Sequence, residues 1–534
     1  MNVSTRGHVA AAAVAVFAGL LAGLPAAHGA SDDGAAAQLY GGMPIDVLTY
    51  HYQDDRTGWN RRETDLTVAS VGSKKFGLRK TLSVDGDVLA QPLLVAGFRM
   101  PDGNLHDVLL VVTENNEVDA FDANSYDRLW HVNLGTPQNA NDVSCGHVHP
   151  YYGISATPVI VRKATDRATV YLVSATEPKP HEFHTRLHAI DLADGSAARK
   201  PVEIAASTRL KDGSTLEYSA AYQWFRAGLA YRDGGLYLAA SSHCDINADR
   251  IAGWVMRYDE DLVQTGAFST IQSPAGYELA AIWAAGYAPA IDTDGSIFAV
   301  TGNGNFSKGG RDWGETVLRL TPSLGRMDDF FTPASYQTLN QGDTDFGAGG
   351  VMLIPPRKGQ AAPPLAVAMG KDHVLYLLDR TRLGHMHPDD TGALQAQHLS
   401  GVGVWGGPCY WLGPDGGRVY YQSHFDVLRA YDVHVGAHPS LTESAQGVVQ
   451  GGFGGSLPIG SSNEGKGGTG VVWTVNRAAP QRLEAYDAQA LGAAIFSASI
   501  PSWTAGNAFL TPLQANGRVF VGSSSAVAIF GLAP

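Results

Sequence analysis

One short phrase is written four times along the chain: Val118-Asp119-Ala120-Phe121-Asp122, Leu187-His188-Ala189-Ile190-Asp191, Leu428-Arg429-Ala430-Tyr431-Asp432 and Leu483-Glu484-Ala485-Tyr486-Asp487. A repeat spread over most of the length constrains the fold more than any single motif does. The leading apolar residue, the Ala and the Asp are spaced two apart. In an extended strand they face one way, as a packed sheet requires. The Asp then opens a turn, because its carboxylate accepts backbone N–H groups two or three residues on. Each phrase therefore reads as the third strand of a sheet, a tight turn and a fourth strand.

A larger unit surrounds the phrase. Small-residue-Pro-apolar starts recur at Gln91-Pro92-Leu93, Thr157-Pro158-Val159, Ala288-Pro289-Ala290 and Thr511-Pro512-Leu513, and degenerate phrases end at Asp259, Leu320 and Asp379. Seven units are counted, and an eighth starts near Leu510 but lacks a fourth strand. Phe76-Gly77-Leu78-Arg79-Lys80-Thr81-Leu82-Ser83-Val84 is strand-like and could supply it. That closure removes the sheet edges an open array would leave exposed. The expected fold is all-β, an eight-bladed β-propeller of four-stranded antiparallel blades over residues 77–534. Glycine, 63 of 534 residues, fits a chain of short strands and tight turns.

Residues 1–30 read as a signal peptide: Arg6, an apolar run from Val9 to Leu24, and small residues through Ala30 for cleavage. Residues 31–76 are polar and read as an entry segment wrapped on the surface. The expected location is periplasmic or secreted, with no membrane span in the mature chain. Acidic residues exceed basic ones, 51 to 38, and the excess is dispersed, which argues against a nucleic-acid surface. Three cysteines occur, Cys145, Cys244 and Cys409. Export permits one bridge, and Cys145 with Cys244 is the expected pair. No Cys-x-x-Cys-His occurs, so no covalent c-type haem is expected.

Polar residues that a structural repeat does not need cluster in the middle third. Ile154-Ser155-Ala156-Thr157-Pro158, Glu177, Trp283, Thr301-Gly302-Asn303-Gly304, Thr332-Pro333 and Gly370-Lys371-Asp372 occur in an order that resembles the quinoprotein alcohol dehydrogenases. More closely still, the chain resembles exported propeller proteins of the PQQ-binding-like repeat type. The resemblance implies a site for pyrroloquinoline quinone (PQQ) and calcium. Glu177 and Asn303 would be the calcium ligands, since a hard cation takes carboxylate and carbonyl oxygens. Trp283 would face the quinone ring, Lys371 its developing oxyanion, and Ser155 one of its carboxylates. Asp312 or Glu315 would be the base that takes the alcohol proton.

Two function classes stay open. One is a PQQ- and calcium-dependent oxidoreductase acting on an alcohol or sugar, which passes electrons to a separate acceptor. The other is a non-catalytic propeller binding a protein, glycan or cell-envelope ligand. The adjacent cysteine pair that covers the second quinone face in those enzymes is missing here, since Gly146 follows Cys145, and this favours the second class. Cys145-Gly146-His147-Val148-His149, with His181, His184 and His243, also has the residue types of a zinc or copper site. Asp292-Thr293-Asp294-Gly295 reads as a hairpin turn, because the remaining ligands of a calcium loop are absent.

Overall fold

The computed structural model describes residues 44–245, 251–273, 279–356, 363–399, 403–501, 503 and 509–533. The signal-peptide reading lies outside them. Within them the chain forms a closed ring of eight blades. In chain order these are blade 1 (93–133), blade 2 (159–203), blade 3 (230–269), blade 4 (290–331), blade 5 (351–398), blade 6 (409–450), blade 7 (459–499) and blade 8. The first strand of each blade is innermost.

Blade 8 closes the ring. Leu513–Ala515 pairs with the start of the Arg518–Leu532 stretch, whose end pairs with Phe76–Asp87. Gly531 lies against Gly517 and Arg518, so the stretch folds back on itself. The reversal falls at Ser525, which has φ 56°. Blade 8 thus takes three strands from the end of the described chain and one from residues 76–87, as the repeat pattern predicts.

The repeated phrase does what its spacing requires. Ala120, Ala189, Ala430 and Ala485 are at most 1% exposed, because only a methyl-sized side chain lets neighbouring blades approach closely there. Asp122 accepts from the N–H groups of Asn124 and Ser125 at 2.6 and 2.8 Å, and Asp191 and Asp487 from those of Ala193 and Gln489 at 2.9 and 2.8 Å. The third copy, Leu428–Asp432, differs. Its strand runs on to His434, and Asp432 instead binds Arg418 Nε at 2.7 Å and the Ser444 hydroxyl at 2.8 Å.

The entry segment is not a surface wrap. Residues 47–60 run through the axis, and their carbonyls accept hydrogen bonds from the innermost strands in ring order. Val47 O receives Leu94 N at 3.0 Å, Leu48 O receives Ile160 N at 2.8 Å, Asp54 O receives Ile291 N at 2.8 Å and Asp55 O receives Leu353 N at 2.9 Å. Thr57 O then receives Tyr410 N at 2.8 Å, and Gly58 O receives Gly460 N at 2.7 Å. The Tyr52 hydroxyl reaches Gln514 of blade 8. Innermost strands have N–H groups with no strand partner on the axial side, and a buried unmet donor is costly. A polar segment rich in turns meets them where a regular strand could not.

Cys145 and Cys244 form a disulfide that ties the segment before blade 2 to the blade 3 region, with Cα atoms 5.6 Å apart and 99 residues between them in sequence. In the chain-entropy account a loop of that length adds about 4–5 kcal/mol. Reducing the protein, or making Cys145→Ser, is expected to lower the unfolding free energy by most of that amount. An unchanged denaturant midpoint after reduction would sink this expectation. Among the described residues no helix is long and apolar enough to cross a membrane.

Candidate functional site

An axial cavity of about 950 Å³ opens above the plug. Its floor is aromatic. Tyr50 of the plug stacks on His51 and meets Tyr287 edge-on at 5.2 Å, and this cluster includes Phe509 and Leu457, with Trp283 and Trp405 packed against it. The walls come from loops of several blades, among them Trp283, Asn303, Asp343, Asp345, Lys371 and Cys244.

The chemistry concentrates at one end. Lys371 Nζ lies 2.5 Å from Asp345 Oδ2 and 3.2 Å from Asp343 Oδ1. It also sits between two indoles, 5.6 Å from the centre of Trp283 and 5.8 Å from that of Trp405. Asn303 donates its backbone N–H to Asp345 Oδ1 at 2.9 Å and its side-chain amide to Asp343 Oδ1 at 2.8 Å. Among the described residues its Oδ1 is left buried and without a hydrogen-bond partner. Gly302 makes this approach possible, since a Cβ there would lie 2.5 Å from Asp345 Oδ1 and 3.2 Å from Trp283 Nε1.

The charges hold one another. Burial would push the Asp343 carboxyl up, but the Lys371 charge and the Asn303 amide outweigh it and keep it below the usual carboxylate range. Burial would likewise depress Lys371, yet Asp345 and then Asp343 raise it. The lysine therefore stays an ammonium at neutral pH.

Of the seven residues that the resemblance assigns to a quinone site, Trp283, Asn303 and Lys371 meet at this cavity, where Cys244 and His147 also lie. Four do not line it. Glu177 is buried, and its carboxylate accepts the N–H groups of Asn139 at 2.9 Å and His181 at 2.6 Å. Asp312 is saturated by the N–H groups of Gln272 and Ser273 and by the hydroxyls of Ser273 and Ser307, which together hold its carboxyl below the usual range against the effect of burial. Glu315 is fully buried under Phe346 N at 2.7 Å, and burial, reinforced by Asp345, raises its carboxyl far above normal. Neither carboxyl is part of the cavity wall. Ser155 is buried and bonded to Glu114.

Glu114 carries a pH consequence. Burial pushes its carboxyl to about 7, against the Gly153 N–H bond and the Ser155 hydroxyl. The folded state binds this proton more tightly than the unfolded chain does. Its stabilisation is present below the ordinary carboxylate range and is lost as pH rises through about 7. Glu114→Gln, compared with the parent, is expected to gain about 3 kcal/mol between pH 4 and pH 8. Parallel stability curves for the two proteins would overturn it.

Asp343 and Asp345 were not singled out from the sequence. The available signal was Asp343-Thr344-Asp345-Phe346-Gly347, acidic and glycine-bearing, between Thr332-Pro333 and Gly370-Lys371. The metal reading of the Cys145–His149 run meets a different arrangement. Cys145 Sγ, His147 and Cys244 Sγ gather within 4.8 Å, but the two sulfurs are bonded to each other. His243 packs against Tyr152 and Trp224, and His184 pairs with Glu203.

No protein-family model matches the chain, and no curated protein matches it significantly. Solved structures do. A quinohemoprotein alcohol dehydrogenase from Pseudomonas putida superposes with TM-score 0.61 at 14% identity, covering 94% of this chain and 81% of that one. The quinohemoprotein alcohol dehydrogenase of Comamonas testosteroni gives 0.55 at 15% identity, covering 94% and 82%. A europium-containing methanol dehydrogenase gives 0.61 at 12% identity, covering 91% and 98%. The chain has the eight-bladed propeller fold of the quinoprotein alcohol dehydrogenases.

Proposed function

We propose that the protein is an exported oxidoreductase that holds PQQ with a divalent cation in the axial cavity and oxidises an alcohol or sugar. The observation that carries this reading is the Asp345–Lys371 pair, bonded at 2.5 Å beside the indole of Trp283. The donor set fits the cofactor. Trp283 offers a flat, rigid face to a planar ring system, and Cys244, held in its disulfide, adds a sulfur surface to the same cavity. The unpartnered Asn303 Oδ1 and the carboxylates of Asp343 and Asp345 are hard oxygen donors of the kind calcium takes. Glu177, whose carboxylate is committed to two backbone N–H groups, stands outside that set.

A bound quinone would supply the two-electron acceptor that alcohol oxidation needs. The chain's own residues do the rest. Asp345 accepts one hydrogen bond at each oxygen, from Asn303 N and from Lys371 Nζ, which leaves each oxygen a further lone pair for the proton of a substrate hydroxyl. Lys371 keeps its positive charge beside Asp345 and can steady negative charge that builds on an oxygen next to it. Trp283 and Trp405 flank the lysine and limit the water around it. A separate acceptor would then be needed to take the electrons on.

Purified mature protein reconstituted with PQQ and calcium is expected to show quinone absorbance and dye reduction across a panel of alcohols and sugars. Asn303→Ala should remove the calcium dependence. Absence of binding at micromolar cofactor would end this reading. The second reading, a non-catalytic propeller that binds a cell-envelope protein or glycan, is favoured by the commitment of Glu177 away from the cavity, and it would then stand.

A further inference from the structure

A second group of metal-binding side chains lies outside the axial cavity, where the segment before blade 2 meets the end of that blade's second strand. Asp142, Glu177 and His181 each offer one donor atom there, and the three atoms lie within 4.8 Å of one another. None of the three lines the cavity. Glu177 is the fixed member. It is 6% exposed, and its Oε2 accepts the Asn139 N–H at 2.9 Å while its Oε1 accepts the His181 N–H at 2.6 Å. A carboxylate has about four lone-pair positions, so each oxygen keeps one for a further partner. The two N–H donors belong to the segments that carry the other two groups. Asn139 opens the turn that holds Asp142, whose own N–H bonds Asn139 O at 3.0 Å, and Glu177 N ties the same segment down at Thr136 O, 2.9 Å away. A ligating carboxylate oriented by hydrogen bonds of this kind is the usual support around a bound metal.

The other two groups are uncommitted. Among the described residues no hydrogen bond or ion pair reaches the Asp142 carboxylate or the His181 ring nitrogens. No Lys or Arg among them pairs with Asp142 or Glu177 either, and the nearby Lys179 is bonded to Glu182 at 3.1 Å. Two carboxylates thus approach each other with no cationic side chain between them. Like charges at this range repel, and a dication bound between them would turn the repulsion into attraction.

The donor types select the metal. An imidazole nitrogen suits zinc and its transition-metal neighbours, and zinc also takes carboxylate oxygens. Calcium wants about six to eight oxygen donors, which one nitrogen and two carboxylates do not provide. Donor atoms of a tetrahedral zinc site with bonds of about 2.0–2.1 Å stand roughly 3.3 Å apart. Closing to that distance asks only for side-chain rotation of Asp142, which is half-buried, and of His181, which is exposed. We propose that Asp142, Glu177 and His181 form a binding site for zinc or a similar transition-metal dication, which clamps the segment before blade 2 to blade 2 itself. Three protein ligands leave a fourth position for water or a small ligand. The site is independent of the quinone reading, and it gives Glu177 a different metal and different partners from the calcium set expected from the sequence.

The test uses the full-length mature protein, freed of metal with EDTA and kept under non-reducing conditions so that the Cys145–Cys244 bond stays closed. Zinc chloride and, separately, calcium chloride are titrated in by calorimetry, and the melting temperature is followed. Zinc is expected to bind and to raise the melting temperature. Asp142→Ala and His181→Ala change side chains outside the core, so both are expected to fold as the parent does. Each should weaken zinc binding by at least about tenfold, because loss of a group merely supporting a ligand already costs about 10–100-fold. His184→Ala is the control, since that imidazole pairs with Glu203, and it should bind zinc as the parent does. Parental zinc affinity in folded Asp142→Ala and His181→Ala would overturn the site, and so would a parent that binds no zinc. Calcium bound more tightly than zinc, and lost in the same two variants, would overturn the choice of metal. No outcome bears on the axial cavity, because none of the three residues lines it.

Discussion

Asp345→Asn is expected to lower dye-linked alcohol oxidation by the PQQ-reconstituted protein by about 10²–10⁴-fold, the range that removal of a positioned general base costs. Asparagine keeps an oxygen for the Asn303 N–H but cannot take a hydroxyl proton. Lys371 retains Asp343 as a partner at 3.2 Å, so the fold and the melting curve should change little. Asp312→Asn is the control that separates the two ideas about the base. Asp312 lies outside the cavity lining and is bound by the backbone N–H groups of Gln272 and Ser273, from a distant segment, and by the Ser307 hydroxyl, so its replacement should cost stability while turnover per folded molecule holds. A fall in turnover for Asp312→Asn with none for Asp345→Asn would reverse the assignment. The quantity to compare is kcat with its pH profile, since loss of a base removes the acidic limb and loss of packing does not.

Arg56→Met is expected to destabilise the ring by about 3–5 kcal/mol, the range seen when one partner of a buried charged network is removed. Arg56 has no exposed surface. Its Nε donates to Pro289 O at 2.9 Å, and its Nη1 donates to Tyr50 O at 2.8 Å, Thr49 Oγ1 at 3.0 Å and Gln53 O at 3.1 Å. One guanidinium thereby fixes the turn of the axial plug and joins it to the start of blade 4. Methionine fills similar volume but leaves those oxygens buried without donors. Because the plug carries Tyr50 into the cavity floor, ligand binding should weaken along with stability. Equilibrium denaturation and the rate of proteolysis in the native state would both report it. A variant with the parent's denaturant midpoint would show that the plug is not held from this point.

How much of this molecule was legible beforehand follows from how far apart the determining residues lie. Val118, Ala120 and Asp122 sit in one strand and the hydrogen bonds of Asp122 reach only to Asn124 and Ser125. Strand, turn and next strand are local events, and a period that repeats them announces the ring. Even the split blade was visible, because residues 76–84 alternate as a strand should and the last unit was one strand short. The plug was misplaced for the opposite reason. Residues 47–60 are polar, which suggests a solvated path. Their backbone carbonyls instead meet the N–H groups of six innermost strands, from Leu94 to Gly460, and the Tyr52 hydroxyl meets that of Gln514.

The site divides in the same way. Trp283, Asn303 and Lys371 were visible as polar or aromatic residues that no repeat requires, and the cavity brings them together. Asp312 and Glu315 were equally visible as carboxylates near them in sequence. What separates them from Asp345 is that Asp345 lines the cavity and they do not, which no local pattern records. Repeat, blade number and closing strand are properties of neighbouring residues, and the order of amino acids alone carries them. The cavity, with its Asp345–Lys371 pair, and the buried plug depend on contacts across hundreds of residues. These exist only once the ring has closed, because closure is what carries opposite blades to a common axis.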